Sequence, residues 1–328
     1  MAEAAIPVDL FNPGQVFACL GFLEAAEILL GDAEGGFDWS RKAEEGSTFR
    51  LRARGEENPF ETVLAFLAEA EVKRFGPVGY TDPPPKKGKK DAEEEDDDED
   101  DDESEFDKKI ITSPIELSET FPAKIGDQMT LPVRLGGGNH PVVELGHWAD
   151  GSSRDDFRLY SGNRSADKIA RAMLRGTRKK SSKSQQQNNQ LGDLKTKGIA
   201  QLWEEECGRL IKEPFHVLTP MGGSFNFDPR GAWAAIDAGY SPNEHKHAVA
   251  ASPVVEFLAA WGLEHARPER MDDRQVRYAI WGTLVPPSLG RVALFGGIPS
   301  LPIRRFRFTL SSSGKNSIVT FAEQENCL

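Results

Sequence analysis

SADKIARAMLRGTRKK, residues 165–180, is the stretch from which the rest of the chain is read. At 100° per residue, Lys168, Arg171, Arg175 and Arg178 fall within an arc of about 80°, and Ala166, Ile169, Ala170 and Met173 gather opposite. Ser165 is placed to cap the helix, Asp167 suits its first turn, and the cations lie toward the end that the helix dipole makes negative. Such a helix needs a core on one side and water or a polyanion on the other. From Arg154 to Lys183 ten Lys/Arg face only Asp155, Asp156 and Asp167. Lys179 and Lys180 continue the charge beyond the helix, and Arg154, Arg158, Asn163 and Arg164 precede it. A nucleic-acid backbone suits this density. A solvated helix face is the competing reading.

Outward from this helix, the pattern alternates between strands and helices without a regular βαβ rhythm. Ile6–Leu10 reads as a strand. Asn12-Pro13-Gly14-Gln15 then opens a helix over 13–30, with Gln15 at the capping-box position, and Gly31 stops it. Residues 49–54 alternate as a strand. Asn58-Pro59-Phe60-Glu61 repeats the cap, and Phe60, Val63, Leu64, Leu67 and Ala70 form an apolar stripe. Strand-like pieces follow at Ile110, 129–135 and 142–145, the last two joined by a glycine turn, and at 157–160. Helices are expected over 198–211, after Asp228-Pro229 and after Ser252-Pro253. A strand at 276–285 ends at Pro286-Pro287, and a short helix follows around 289–295. Residues 303–310 and 317–321 pair as a hairpin. The class is α+β, built from helices and antiparallel hairpins. A core derived from the RNA-recognition motif remains open. Five segments are expected: an N-terminal α/β region at 1–82, an acidic linker at 83–109, a hairpin and basic helix at 110–176, a basic polar loop at 177–197, and a C-terminal α+β region at 198–328. The two low-complexity insertions, at 83–109 and 177–197, cannot bury apolar surface and are expected to be disordered.

The formal charge of −12 comes from 40 Lys/Arg against 52 Asp/Glu. Residues 91–107 alone hold fourteen of the acids and no base, so the remainder is near neutral, and the low pI does not argue against nucleic acid. Cys19, Cys207 and Cys327 are odd in number and widely spaced, which suits a reducing compartment. No signal peptide and no span of about eighteen apolar residues is read, so a cytoplasmic protein without membrane attachment is expected.

The phosphate-loop, nucleophile-elbow, zincin and dinucleotide-binding patterns are absent. No metal or cofactor is expected. His245-Lys246-His247 lacks further ligands, and a metal-free ribonuclease would draw first on His140 or His147. Gly136-Gly137-Gly138-Asn139 is either a plain hairpin turn or a place where backbone approaches a nucleic-acid groove. Phe225 with Phe227, and Phe306 with Phe308, are pairs that either stack bases or fill the core.

Several blocks resemble a known family: IPVDLFNPGQVFACLGFLEAAEILLG, VELGHWADGSSRDDFRLYSGNRSADKIARAML, LTPMGGSFNFDPRGAWAAIDAGYSP, SPVVEFLAAWGLEHARP and RRFRFTLSSSGKN. Together they resemble a subunit of the type I-G (formerly I-U) CRISPR interference complex, the one placed in the large-subunit position of Cascade. The resemblance implies a non-catalytic protein of antiviral defence that binds the end of the guide RNA (crRNA) and the PAM side of double-stranded target DNA. It implies further partners: the backbone and guide-end subunits, and a helicase-nuclease recruited in trans. Sequence reading in such complexes is delegated to base pairing. The resemblance carries no residue-level motif. Gly137, Gly138 and Asn139 join the basic residues as binding candidates only by analogy with PAM-side glycine loops. A guide-processing endoribonuclease and a pure scaffold remain the alternatives.

Overall fold

The computed structural model describes residues 1–40, 46–81, 113–119, 131–137, 140–146, 157–160, 165–178, 193–221, 223–231, 249–313 and 316–325. In chain order the N-terminal elements are β1 (Ala2–Val8), α1 (Pro13–Leu29), β2 (Glu34–Asp38), β3 (Ser47–Ala53), α2 (Pro59–Glu69) and β4 (Glu71–Pro77). Then come β5 (Ile115–Ser118), β6 (Val133–Gly136), β7 (Val143–Leu145), α3 (Ala166–Arg175), β8 (Thr177–Arg178), β9 (Leu194–Thr196) and α4 (Ile199–Lys212). The C-terminal part holds β10 (Thr219–Pro220), β11 (Ala250–Ala251), α5 (Pro253–His265), β12 (Glu269–Arg270), β13 (Gln275–Trp281), α6 (Pro287–Leu294), β14 (Ile303–Ser313), β15 (Asn316–Val319) and β16 (Glu323–Gln324). The fold is α+β.

Local chemistry starts the main helices where the caps predict. Asn12 Oδ1 accepts from Gln15 N at 3.1 Å and Asn58 Oδ1 from Phe60 N at 3.0 Å. Ser252 Oγ accepts from Val255 N at 3.3 Å, and Pro stands at the first helical turn in all three. Gln15 departs from the capping box: its Oε1 accepts from Asp9 N at 2.8 Å, fixing the chain ahead of the cap. From Pro13 to Ala26 every residue of α1 is buried, and so is every residue of α5 from Pro253 to Leu263. A helix apolar all round belongs in a core, and these two lie against each other there. A Cβ on Gly21 would sit 2.0 Å from Leu258 O, and one on Gly262 2.3 Å from Phe17 O. The two backbones touch where no side chain fits.

The first sheet has the order β1-β3-β2, antiparallel throughout. With α1 crossing between β1 and β2, this is a split βαβ unit, and β1 to β4 follow the βαββαβ order of the ferredoxin-like motif. The fourth strand departs from that plan. Instead of flanking β1, β4 joins a second sheet, β5-β4-β6-β7, where it runs parallel to β5. The outer face of the first sheet is charged and self-paired, Arg50 with Glu3 and Arg52 with Glu34. A third sheet, β12-β13-β14-β15 with β16 on β14, closes over the N-terminal elements. Tyr278 Oη donates to Leu10 O at 2.6 Å, Trp281 Nε1 to Gly35 O at 2.8 Å, and Ala322 N to Phe11 O at 2.7 Å. One buried core therefore draws on residues from Ile6 to Ala322.

Three expectations are corrected. The first strand lies earlier than 6–10, at Ala2–Val8. Residues 157–160 are not a strand, although Phe157, Leu159 and Tyr160 are buried, because Phe157 adopts φ 51° to place its ring among Phe17, Phe227 and Phe308. The strand expected to reach Val285 ends at Trp281, and Val285 makes a lone bridge to Gly35. After Asp228-Pro229 the described chain forms a 3-10 turn, Pro229–Gly231, with Asp228 Oδ1 accepting from Arg230 N at 3.2 Å, and the rest of the helix expected there lies outside the described residues. Residues 232–248 lie outside the described residues, as do Ile110 and most of the two low-complexity segments. The 177–197 segment is nevertheless ordered at both ends, where β8 pairs with β9.

Candidate nucleic-acid interface

The basic helix forms, shorter than its pattern suggests. α3 buries Ala166, Ile169, Ala170 and Met173, and also Asp167, Ala172 and Leu174. Ser165 holds the N-cap position, but its hydroxyl donates to Asp167 Oδ1 and accepts from no backbone N–H of the first turn. The helix stops at Gly176, with φ 68°. A Cβ there would lie 2.2 Å from Thr196 O, so the end of α3 is clamped against β9 by a contact only glycine allows. Arg178 is therefore not on the helical arc. It stands on β8, opposite Leu194.

The four cations of the arc separate accordingly. Lys168 and Arg171 are half-buried on the outer side of α3, and Arg178 is exposed on the adjoining strand. Each of the three makes at least one interaction within the chain. Arg175 has a different occupation. Its Nη1 donates to Ala68 O at 2.8 Å, and its Nη2 to Glu69 O at 2.7 Å and Ala70 O at 3.1 Å. These are carbonyls at the C-terminus of α2, where no intrahelical donor remains and the dipole is negative. Arg175 caps α2, and its assignment to the phosphate track is corrected on that ground.

The same corner gathers part of the glycine turn. β6 and β7 pair as the expected hairpin. Gly137 has φ 150° and lies close to Glu69 O, and His140 Nε2 is 3.6 Å from a Glu69 carboxylate oxygen with its ring edge-on to Phe66. Gly137, His140 and Arg175 thus meet at the end of α2. Arg158 lies away from them with its guanidinium 5.0 Å over the Tyr160 ring. Arg154, Asn163, Arg164, Lys179, Lys180, Gly138, Asn139 and His147 lie outside the described residues. The aromatic pairs are core: Phe225, Phe227, Phe306 and Phe308 are all buried, so none offers a face to a base.

One candidate site was not legible beforehand. Asp228, buried, accepts from Asn12 Nδ2 at 3.1 Å, Ser252 N at 3.2 Å and Arg230 Nη2 at 2.6 Å. It joins the N-termini of α1 and α5. Glu256 donates no charge to this cluster near neutrality: complete burial pushes its carboxyl up to about 8, against the opposing pull of the Asp228 N–H at 2.8 Å. Arg230 pairs with Asp228 alone, and both carboxyls are buried in the core. Among the described residues no group of three or more His, Cys, Asp or Glu is placed to hold a metal, and no helix is long and apolar enough to cross a membrane.

Comparison of the chain with family models, curated proteins and solved structures returned no match.

Proposed function

We propose that this chain is a non-catalytic, nucleic-acid-binding subunit of a type I-G CRISPR Cascade, placed at the guide-RNA end and the PAM side of target DNA. The observation that carries the reading is α3: its apolar side is held in the core, and Lys168 and Arg171 are set on its outer side. Arg178 adds a cation on the next element, and the sequence on either side, 154–164 and 179–183, continues the same charge. A rigid helix with cations on one side positions a phosphate backbone without reading bases, which is the share left to protein when guide pairing reads sequence. The resemblance of the sequence blocks supplies the assembly. Helping to recruit the helicase-nuclease belongs to the same proposal.

Ultraviolet crosslinking of the assembled complex to labelled guide RNA and target DNA tests this reading. The expected crosslinks map to peptides containing residues 165–178. Crosslinks confined to other subunits would leave this chain a scaffold. Specific cleavage of precursor guide RNA, lost on His140→Ala, would make it an enzyme.

A further inference from the structure

Beside the proposed phosphate track lies a depression of about 240 Å³ between β9 and α4. Two irregularities shape it. The β8–β9 ladder pairs Thr177 with Thr196 and Arg178 with Leu194, so Lys195 is an extra residue in the ladder. An extra residue of this kind is re-aimed out of strict alternation. Lys195 is exposed and lines the depression, and it makes no ion pair among the described residues. Across from it α4 is interrupted: Glu206 has φ −134° and ψ 30° inside the helix, and its side chain also lines the depression. Arg209 holds Glu206 Oε2 at 3.1 Å, so Oε1 is the acceptor left to a ligand. Leu218, 43% exposed, and Pro220 supply an apolar floor above the buried Leu202.

An apolar floor with a cation at one side and one carboxylate acceptor at the other matches a nucleotide. We infer that this depression takes one unpaired nucleotide of a bound single strand, its phosphate at Lys195, its base on Leu218 and Pro220, and its exocyclic amino group donating to Glu206. The inference rests on the nucleic-acid reading above and adds a base preference to it. A carboxylate placed at the 4-position accepts from the N4 amino group of cytosine and meets the O4 acceptor of uracil there, whose nearest donor is the ring N3–H.

The test uses the full chain with labelled single-stranded oligomers of cytidine and of uridine, in ribo and deoxyribo forms, titrated over a salt series. The wild-type protein is expected to prefer cytidine by about tenfold, and the tighter sugar names the strand. Lys195→Ala lowers the salt slope by about 0.7 for both bases, one single-strand phosphate contact. Glu206→Ala removes the base preference. Leu218→Trp fills the floor and weakens both, with an unchanged thermal midpoint as the folding control. If the wild-type chain binds without base preference, or Lys195→Ala and Leu218→Trp bind as wild type while Lys168→Ala weakens binding, the nucleotide pocket is refuted and the interface on α3 stands. If the wild-type chain binds none of the oligomers, both readings fall.

Discussion

α1 and α3 are both helices of the same core, and they meet it in opposite ways. α1 is buried on every side over Pro13–Ala26, and α5 lies so close that Gly21 and Gly262 leave no room for a Cβ. α3 buries one side and keeps Lys168, Arg171 and Arg175 on the other. A helix packed all round has no surface to lend to a ligand. A helix packed on one side does, although Lys168 and Arg171 already make an interaction within the chain and Arg175 is held at the end of α2. The difference predicts that damage to α1 costs the fold, and damage to the outer side of α3 costs binding.

The largest effect is expected at the α1–α5 contact. Gly21→Ala drives a methyl into Leu258 O, and the helices must separate. A loss of about 3 kcal/mol or more is expected in denaturant unfolding. A near-neutral result would show that the two helices can slide apart cheaply. Next is Glu256, within the same buried region. Its pKa in the fold, about 8, lies above its ordinary value of 4.5, so the folded protein keeps a proton that the unfolded chain releases. Its stabilising share is complete below about pH 4.5 and is lost as pH rises through about 8, by at most about 1.4 kcal/mol per unit. Urea unfolding between about pH 5 and 8 should show wild-type stability falling relative to Glu256→Gln, and parallel curves would contradict a neutral carboxyl. Smaller again is Arg175→Ala, which uncaps α2 and should cost about 1–2 kcal/mol. No loss of stability would return Arg175 to the phosphate track. Smallest is deletion of residues 88–106. β4 and β5 run parallel and stay joined by residues 78–87 and 107–114, ample for a crossover of two short strands. Thermal melting should change within about 0.5 kcal/mol of wild type.

What was legible in the sequence follows the range of the interactions. Asn12-Pro13, Asn58-Pro59 and Ser252-Pro253 act within one helical turn, and all three begin helices as read. The β14–β15 hairpin is equally local, and its pairing holds. The apolar side of α3 was correct because its periodicity runs through the helix itself. Its end was not, because Gly176 is required by a backbone contact with Thr196, twenty residues on. Arg175 was misjudged for the same reason: its acceptors Ala68, Glu69 and Ala70 lie more than a hundred residues earlier. Nothing local announces that β4 leaves the first sheet for β5, or that Lys195 is the extra residue of a ladder. The aromatic pairs at 225/227 and 306/308 left two readings open, and burial decided for the core.

The central claim is that the outer cations of α3 and β8 hold phosphates while Arg175 holds α2. The measurement that bears on it most directly is a salt titration of target-duplex binding by complexes assembled with Lys168→Ala/Arg171→Ala/Arg178→Ala or with Arg175→Ala alone. The triple variant should assemble normally, lose up to about 2.7 units of slope in log K against log salt, and weaken all sequences alike. Arg175→Ala should leave the slope unchanged and lower only the unfolding midpoint. An unchanged slope in the triple variant, with normal assembly, would contradict the claim and make this side of α3 an ordinary solvated surface.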